Sequence, residues 1–487
     1  MKEKFNMEKK TLAQLIVCFG IIAVFWVLPP VAPLTQIGMR VIGIFIGTVL
    51  LLSLVDTVWP ALLAVALLSR TGVATLNEAI AGSIGSWVIY FVLMSFIMTH
   101  ALNESGFTNR LVSKFMSLKF VSRNPWTFTF SLGLFGLLLG CFMDQIPATA
   151  FMLAFVKTVY KELDYQVGDS YPQLANIIVV FSVNIGGAMT PISHALTILG
   201  LGIYEAATGE AISLFSYLAF GVPTGIILFA LMCILFRLLA KPDFGKFEGF
   251  DIKKVIAAQK KMELREITTV IIFFVTVALW IAPGLLMMFT DAAWVQTFNT
   301  YGITFWAILS VVIMAIIRIG EKPIIEIKEV VNKHINWAIL IFISIGVYLG
   351  SAISLPSTGV TEFIQTNITP LTTSLPSWLV VFFIALVSIV MTNFASNVTT
   401  ITVMTGVGVT LALSDGSPIN AVGIAMVATM CGCCAYLLPS SFGTIAMLHG
   451  NQYSNKNKIY LFGLIMIILS AFVIGFIGYP LGLLLVG

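Results

Sequence analysis

Long apolar runs dominate the chain, and two of them are interrupted by polar residues at matching places about 250 residues apart. The first interruption is Phe142-Met143-Asp144-Gln145-Ile146-Pro147, within residues 126–155. The second is Asn393-Phe394-Ala395-Ser396-Asn397-Val398-Thr399-Thr400, within residues 378–413. Each is followed by another apolar segment with its own break, at 189–194 and at 438–443. A helix broken inside a bilayer leaves backbone groups unpaired, so such breaks survive only where they face protein or a wet cavity. Two in each half, at corresponding positions, predict the binding site of a secondary transporter.

The remaining runs predict eleven membrane helices, near 12–28, 38–55, 58–73, 86–102, 173–202, 214–239, 267–289, 301–317, 336–354, 418–449 and 459–484. Basic residues in short loops mark the cytoplasmic side. Lys2, Lys4, Lys9 and Lys10 therefore place the N-terminus in the cytoplasm, and the rule holds at every loop long enough to test it, from the basic loop after the fourth helix (Arg110, Lys114, Lys119 and Arg123) onward. Residues 126–161 begin and end beside basic residues (Arg123, Lys157 and Lys161), and each arm reads as too short to cross. They predict a re-entrant hairpin entering from the inside. Residues 377–413 predict a second hairpin, entering from the outside, because residues 355–376 hold no Lys or Arg.

Four regions follow. Residues 1–85 are N-terminal scaffold helices. Residues 86–240 are a first repeat with the inward hairpin 125–161 and the broken helix 173–202. Residues 241–266 are a basic cytoplasmic linker or amphipathic helix. Residues 267–487 are the second half, with the outward hairpin 377–413 and the broken helix 418–449. Trp87-Val88-Ile89 and Gly106-Phe107 are echoed by Trp337-Ala338-Ile339 and Gly359-Val360. Each half makes an odd number of crossings, so the copies are inverted and their site falls near the midplane. The fold class is thus an all-α polytopic membrane protein with about eleven membrane helices and two re-entrant hairpins.

Composition agrees with this reading: of 487 residues, 59% are hydrophobic and 10% charged. The net charge of +4 gives no reason to expect a nucleic-acid partner. Cys431, Cys433 and Cys434 read as small residues packing a membrane helix rather than as soft-metal ligands. The first apolar segment lacks a small-residue cleavage site and reads as a retained helix. No Ser-His-Asp set, zinc-ligand spacing or nucleotide loop argues for an enzyme.

Residues 79–82 through Ser105-Gly106-Phe107, the run Asn184-Ile185-Gly186-Gly187-Ala188-Met189-Thr190-Pro191 and the tip Thr392-Asn393-Phe394-Ala395-Ser396-Asn397 resemble the divalent-anion/sodium symporter family. The resemblance covers nearly the whole chain. It implies an inverted-repeat, elevator-type carrier, homodimeric in the cytoplasmic membrane. The implied cargo is small organic anions, di- or tricarboxylates such as succinate, malate or 2-oxoglutarate. The family carries a Ser-Asn-Thr triplet at each hairpin tip. Here the second tip has Val398 in the third place, and the first has Asp144-Gln145-Ile146 instead of the triplet.

The residues expected to bind substrate are Gln145, Thr190, Ser193, Ser396, Asn397, Thr399 and Ser441. Hydroxyls, amides and the positive ends of half-helices would hold an anion there, because neither tip nor break contains Lys or Arg. Asp144 is an acid at membrane mid-depth, which needs a proton, a cation or a partner. With His194 it is expected to form a coupling pair in place of a sodium site, making transport not strictly sodium-dependent. No cofactor is required, sodium or a proton is the coupling ion, and no metal-ligand set is assigned. A cation/proton antiporter with Asp144 as coupling carboxylate is the alternative.

Overall fold

The computed structural model describes residues 9–56, 58–121, 123–192, 194–247 and 261–486. Ser193 and residues 248–260 of the basic linker lie outside them. The chain is a helical membrane protein. The N-terminal part holds α1 (Lys9–Val27), α2 (Gln36–Leu54), α3 (Trp59–Leu68) and α4 (Leu76–Gly82). A first series then runs α5 (Trp87–Glu104), α6 (Phe107–Met116), α7 (Pro125–Phe142), α8 (Gln145–Glu162), α9 (Ser170–Met189), α10 (Ala195–Thr208) and α11 (Leu214–Leu239). Four helices connect it onward: α12 (Leu264–Met287), α13 (Ala293–Thr300), α14 (Gly302–Ile316) and α15 (Ile327–Lys333). The second series begins with α16 (Trp337–Ala352), α17 (Val360–Asn367), α18 (Thr369–Thr373) and α19 (Ser377–Phe394). It continues through α20 (Asn397–Leu413), α21 (Ala421–Gly432), α22 (Gly443–Gly450), α23 (Lys456–Phe472) and α24 (Tyr479–Val486). Among the described residues nine helices are long and apolar enough to cross a membrane, or up to eleven if each of two bent pairs is one span.

The two series repeat each other in local structure. Each starts with a helix opened by Trp, α5 or α16, and then turns at a glycine with positive φ, Gly106 at 87° and Gly359 at 69°. A side chain is strained in that conformation, so glycine is the residue that makes both turns. A helical hairpin follows, then a broken helix, then a long closing helix. The second closing helix is α23 and α24, joined by a π-helical turn at Val473–Gly478.

The breaks have chemical causes. Pro191 has no N–H to donate and disfavours helical backbone in the residue before it, and Thr190 is extended at φ −135°. Asn124 caps α7 by accepting from the Thr127 N–H at 2.9 Å, ahead of Pro125 at the first helical position. The hairpin arms differ from expectation. α7 and α19 are each 18 residues, about 27 Å at 1.5 Å per residue, so length does not prevent crossing. Their ends are tied to the breaks of neighbouring helices, by Thr190 on the Cys141 carbonyl and by Asn393 on Cys434, Tyr436 and Leu437.

At the centre is α9, whose residues from Tyr171 to Met189 are all buried. Such a helix is apolar all round because protein surrounds it. It meets α7 through glycines: a Cβ at Gly186 would lie 2.0 Å from the Leu137 carbonyl, and one at Gly140 2.3 Å from that of Val183. Small residues at these positions let two backbones approach without lipid between them. Two of its polar side chains are bonded across helices. Tyr160 donates to Asn176 at 2.8 Å, and Asn184 donates to the Ala435 carbonyl at 2.7 Å. At the basic-loop end a forked ion pair joins Arg110 of α6 to Glu266 of α12, at 2.5 and 2.8 Å. Beside it His100 of α5 stacks on His334, with ring centroids 4.1 Å apart.

Candidate functional site

Both hairpin tips and both breaks open onto one cavity of about 220 Å³. The residues that precede its helices line it. Asp144 caps α8, His194 precedes α10, Ser396 precedes α20, Phe442 precedes α22 and Asn336 caps α16. Four half-helices and one full helix therefore turn their N-terminal ends toward the same space. Free N–H groups and the positive end of the helix dipole make each such end favourable for an anion, at roughly 0.3–1 kcal/mol when exposed and up to about 2 when partly buried. Among the described residues no Lys or Arg lines the cavity, and Asp144 is its one carboxylate. Phe96, Ile146, Ile339, Phe342 and Val398 supply apolar walls.

Three of the residues expected at the site line the cavity: Asp144, His194 and Ser396. Ser193 is outside the described residues. The other five are turned away from it. Gln145 is fully buried and donates to the Asn184 carbonyl of α9 at 3.0 Å. Thr190 donates to the Cys141 carbonyl at 2.8 Å, tying the first break to the end of α7. Asn397 accepts from Thr392 at 2.8 Å, and Thr399 lies 3.1 Å from Ser53 of α2. Ser441 donates to Leu438 at 2.5 Å. Gln145, Thr190 and Ser441 satisfy backbone carbonyls, which a broken helix needs, while Asn397 and Thr399 bond to other side chains.

The expected Asp144–His194 pair is not formed. Asp144 accepts from the Ile146 N–H at 3.0 Å, so one carboxylate oxygen is used as a helix cap. The His194 ring stands edge-on to Phe442, with centroids 5.9 Å apart, and neither ring nitrogen has a hydrogen-bond partner. Both residues face the same space without touching through a hydrogen bond.

Two residues important to the site carry no expected role in the sequence reading. Asn393 holds the second break: its Oδ1 accepts from the N–H groups of Tyr436 at 2.6 Å and Leu437 at 2.9 Å. Its Nδ2 donates to the carbonyls of Ile389 at 2.8 Å and Cys434 at 3.1 Å. Asn336 accepts from the Ile339 N–H at 3.2 Å. Its signal was available, since Asn directly before an apolar run marks a helix start. Cys431, Cys433 and Cys434 are buried free thiols, and Cys433 Sγ lies 3.8 Å from Thr197 Oγ1 across the break.

Paired hairpins meeting paired broken helices around a small cavity give the arrangement of a transporter with many membrane helices. A family described as "Citrate transporter" matches residues 48–432, and the chain belongs to that family. The sodium-dependent dicarboxylate transporter SdcS of Staphylococcus saprophyticus is 24% identical over 414 residues, covering 82% of this chain and 78% of that one. An uncharacterized transporter of Haemophilus influenzae is 22% identical over 455 residues, 92% of each chain. Among solved structures, the YdaH transporter of Alcanivorax borkumensis shares the fold with a TM-score of 0.54 at 11% identity. That likeness covers 82% of this chain and 86% of the other. The resemblance to divalent-anion/sodium symporters agrees with these relatives.

Proposed function

We propose that this chain is a secondary carrier of small di- or tricarboxylates, working as a homodimer in the cytoplasmic membrane with its N-terminus inside. The observation that carries this reading is the convergence of five helix N-termini on one cavity that, among the described residues, holds no Lys or Arg. Dipoles and N–H groups bind a dianion reversibly, whereas a buried fixed cation would retain it. The volume of about 220 Å³ is below the roughly 300–1,000 Å³ of drug-sized sites and suits a small anion.

An elevator motion is the proposed mechanism. The tips and breaks form one block, and Phe96 of α5 with Asn336–Phe342 of α16 forms the opposite wall. The N-terminus of α16 follows the basic segment 318–333, so on the charge rule the cavity lies toward the cytoplasm. Sliding the block along α5 and α16 would carry the site to the other side.

Coupling is proposed not to require sodium strictly. Asp144 repels an incoming dianion, and protonation of either Asp144 or His194 removes one negative charge or adds one positive charge in the cavity. A second reading, sodium coupling, is favoured by Gln145 Oε1, Asn184 Oδ1 and Thr149 Oγ1, buried oxygens without a hydrogen-bond partner. Neutral oxygens of this kind suit a hard cation. The test is a thermal-shift screen of purified protein against carboxylates and inorganic anions, with and without sodium. A ligand at 100 times its Kd stabilises the folded state by about 2.7 kcal/mol. A shift with carboxylates in sodium-free buffer supports the proposal, and a shift that appears only with sodium supports the second reading. No shift with any carboxylate would count against a carboxylate carrier.

A further inference from the structure

A larger cavity, about 280 Å³, lies at the other end of the molecule, where α5, α11 and α14 begin and where α10 and α12 end. These are the ends opposite the basic loops. It shares no residue with the anion cavity. Its walls are aromatic: Trp87, Trp280, Tyr301 and Trp306 line it. Trp280 is fixed by its indole N–H, which donates to the Ile303 carbonyl at 2.9 Å, and Tyr301 packs on Trp306 with centroids 5.9 Å apart. One charged residue faces the space, Glu205 of α10, set against Trp87. Among the described residues no Lys, Arg or His lines it.

Two buried polar atoms in this wall have no partner, Trp306 Nε1 and Thr304 Oγ1. A buried donor without an acceptor is costly, and an indole N–H can do nothing but donate. The cavity therefore combines aromatic faces, one carboxylate and an unused donor. Aromatic rings and a carboxylate together select an organic cation, because the ring face attracts an ammonium group and the carboxylate neutralises it. The unused N–H selects an oxygen acceptor on the same ligand.

We infer that this cavity is a second binding site, for an organic ammonium ion that also carries an oxygen acceptor. An amine-bearing lipid headgroup and a free amino alcohol share that chemistry. The occupant would bridge α10 and α11 of the first series to α12 and α14, and so would bear on how those helices move past one another.

The experiment titrates the full chain, held in nanodiscs of phosphatidylglycerol, with choline at constant ionic strength, reading intrinsic tryptophan fluorescence. The expected result is a saturable change with choline that sodium chloride does not reproduce. Glu205→Gln should weaken it at least tenfold, and Trp306→Phe, which keeps the ring and removes the donor, should weaken it several-fold. Gel-filtration profiles and melting temperatures establish that both variants are folded. Repeating the titration in discs containing phosphatidylethanolamine separates the sources: weaker apparent choline binding identifies the lipid headgroup, and an unchanged titration identifies the free amine. A choline response that does not saturate, or that is the same in wild type and both variants, would overturn the inference. Uptake is not measured in this experiment, so its failure leaves the anion-carrier reading untouched.

Discussion

Replacing Asn393 by Ala removes the side chain that closes the second helix break. Three backbone groups lose their cross-break partner: the N–H groups of Tyr436 and Leu437, which share Oδ1, and the carbonyl of Cys434. All three residues are at most 5% exposed, so water does not readily take the place of the amide. An orphaned buried polar group costs about 1–3 kcal/mol. Partial relaxation of the break lowers the sum, and a loss of about 3–6 kcal/mol is expected. At roughly 2–4 °C per kcal/mol for chains of 150–250 residues, and less for a longer one, Tm should fall by about 5 °C or more. The assay is thermal unfolding in detergent at one fixed scan rate, since unfolding of such a protein is commonly irreversible. Asn367→Ala serves as the control, because Asn367 is exposed and its amide reaches only the Phe363 carbonyl of its own helix. An Asn393→Ala protein that melts within about 1 °C of wild type, as the control should, would refute the view that this side chain holds the break.

Gly186→Ala should destabilise the protein and abolish uptake, since its methyl would sit 2.0 Å from the Leu137 carbonyl and force α7 off α9; normal melting and uptake would show that the two backbones can separate freely. Val398→Thr, which puts a hydroxyl into the cavity wall, should change carboxylate affinity measured by thermal shift while leaving Tm without ligand unchanged. His194→Ala should flatten the pH dependence of uptake, because protonating His194 adds a positive charge to the cavity that the variant lacks; a wild-type profile would remove His194 from coupling. Asp169, in the loop before α9, is held below the usual carboxylate range by the Gln166 N–H and by Lys246. It stabilises the fold above the ordinary carboxylate pKa of about 3.9 and loses that effect as pH falls through its lowered value. The Tm gap between wild type and Asp169→Asn should therefore be open at pH 7 and close in acid.

The architecture was legible because its signals are long and physically forced. Asp144, Pro191 and Ser396-Asn397 stand out against apolar surroundings, and lipid allows such interruptions only for a reason. The turn glycines Gly106 and Gly359 gave the repeat, and the structure shows both in the same left-handed conformation. Short helices such as α4, α6 and α17 hold ten residues or fewer, well under the roughly 20 that span a membrane, so a search for long apolar runs passes over them. At the site, residue type identified the neighbourhood but not the direction in which each side chain turns. Gln145 and Asp144 are adjacent, yet one bonds into α9 and the other faces the cavity. That difference depends on where the α9 backbone comes to rest, which a local pattern does not contain. The same holds for Thr399, whose partner Ser53 is 346 residues away.

The central claim is tested most directly by uptake of labelled succinate and citrate into proteoliposomes of the purified protein, measured in sodium and in potassium buffers. Saturable uptake of at least one of them over protein-free liposomes is expected, retained in potassium and reduced by Ser396→Ala. Sodium-driven proton movement without uptake of either anion would contradict it, and would make the chain a cation/proton antiporter with Asp144 as its coupling carboxylate.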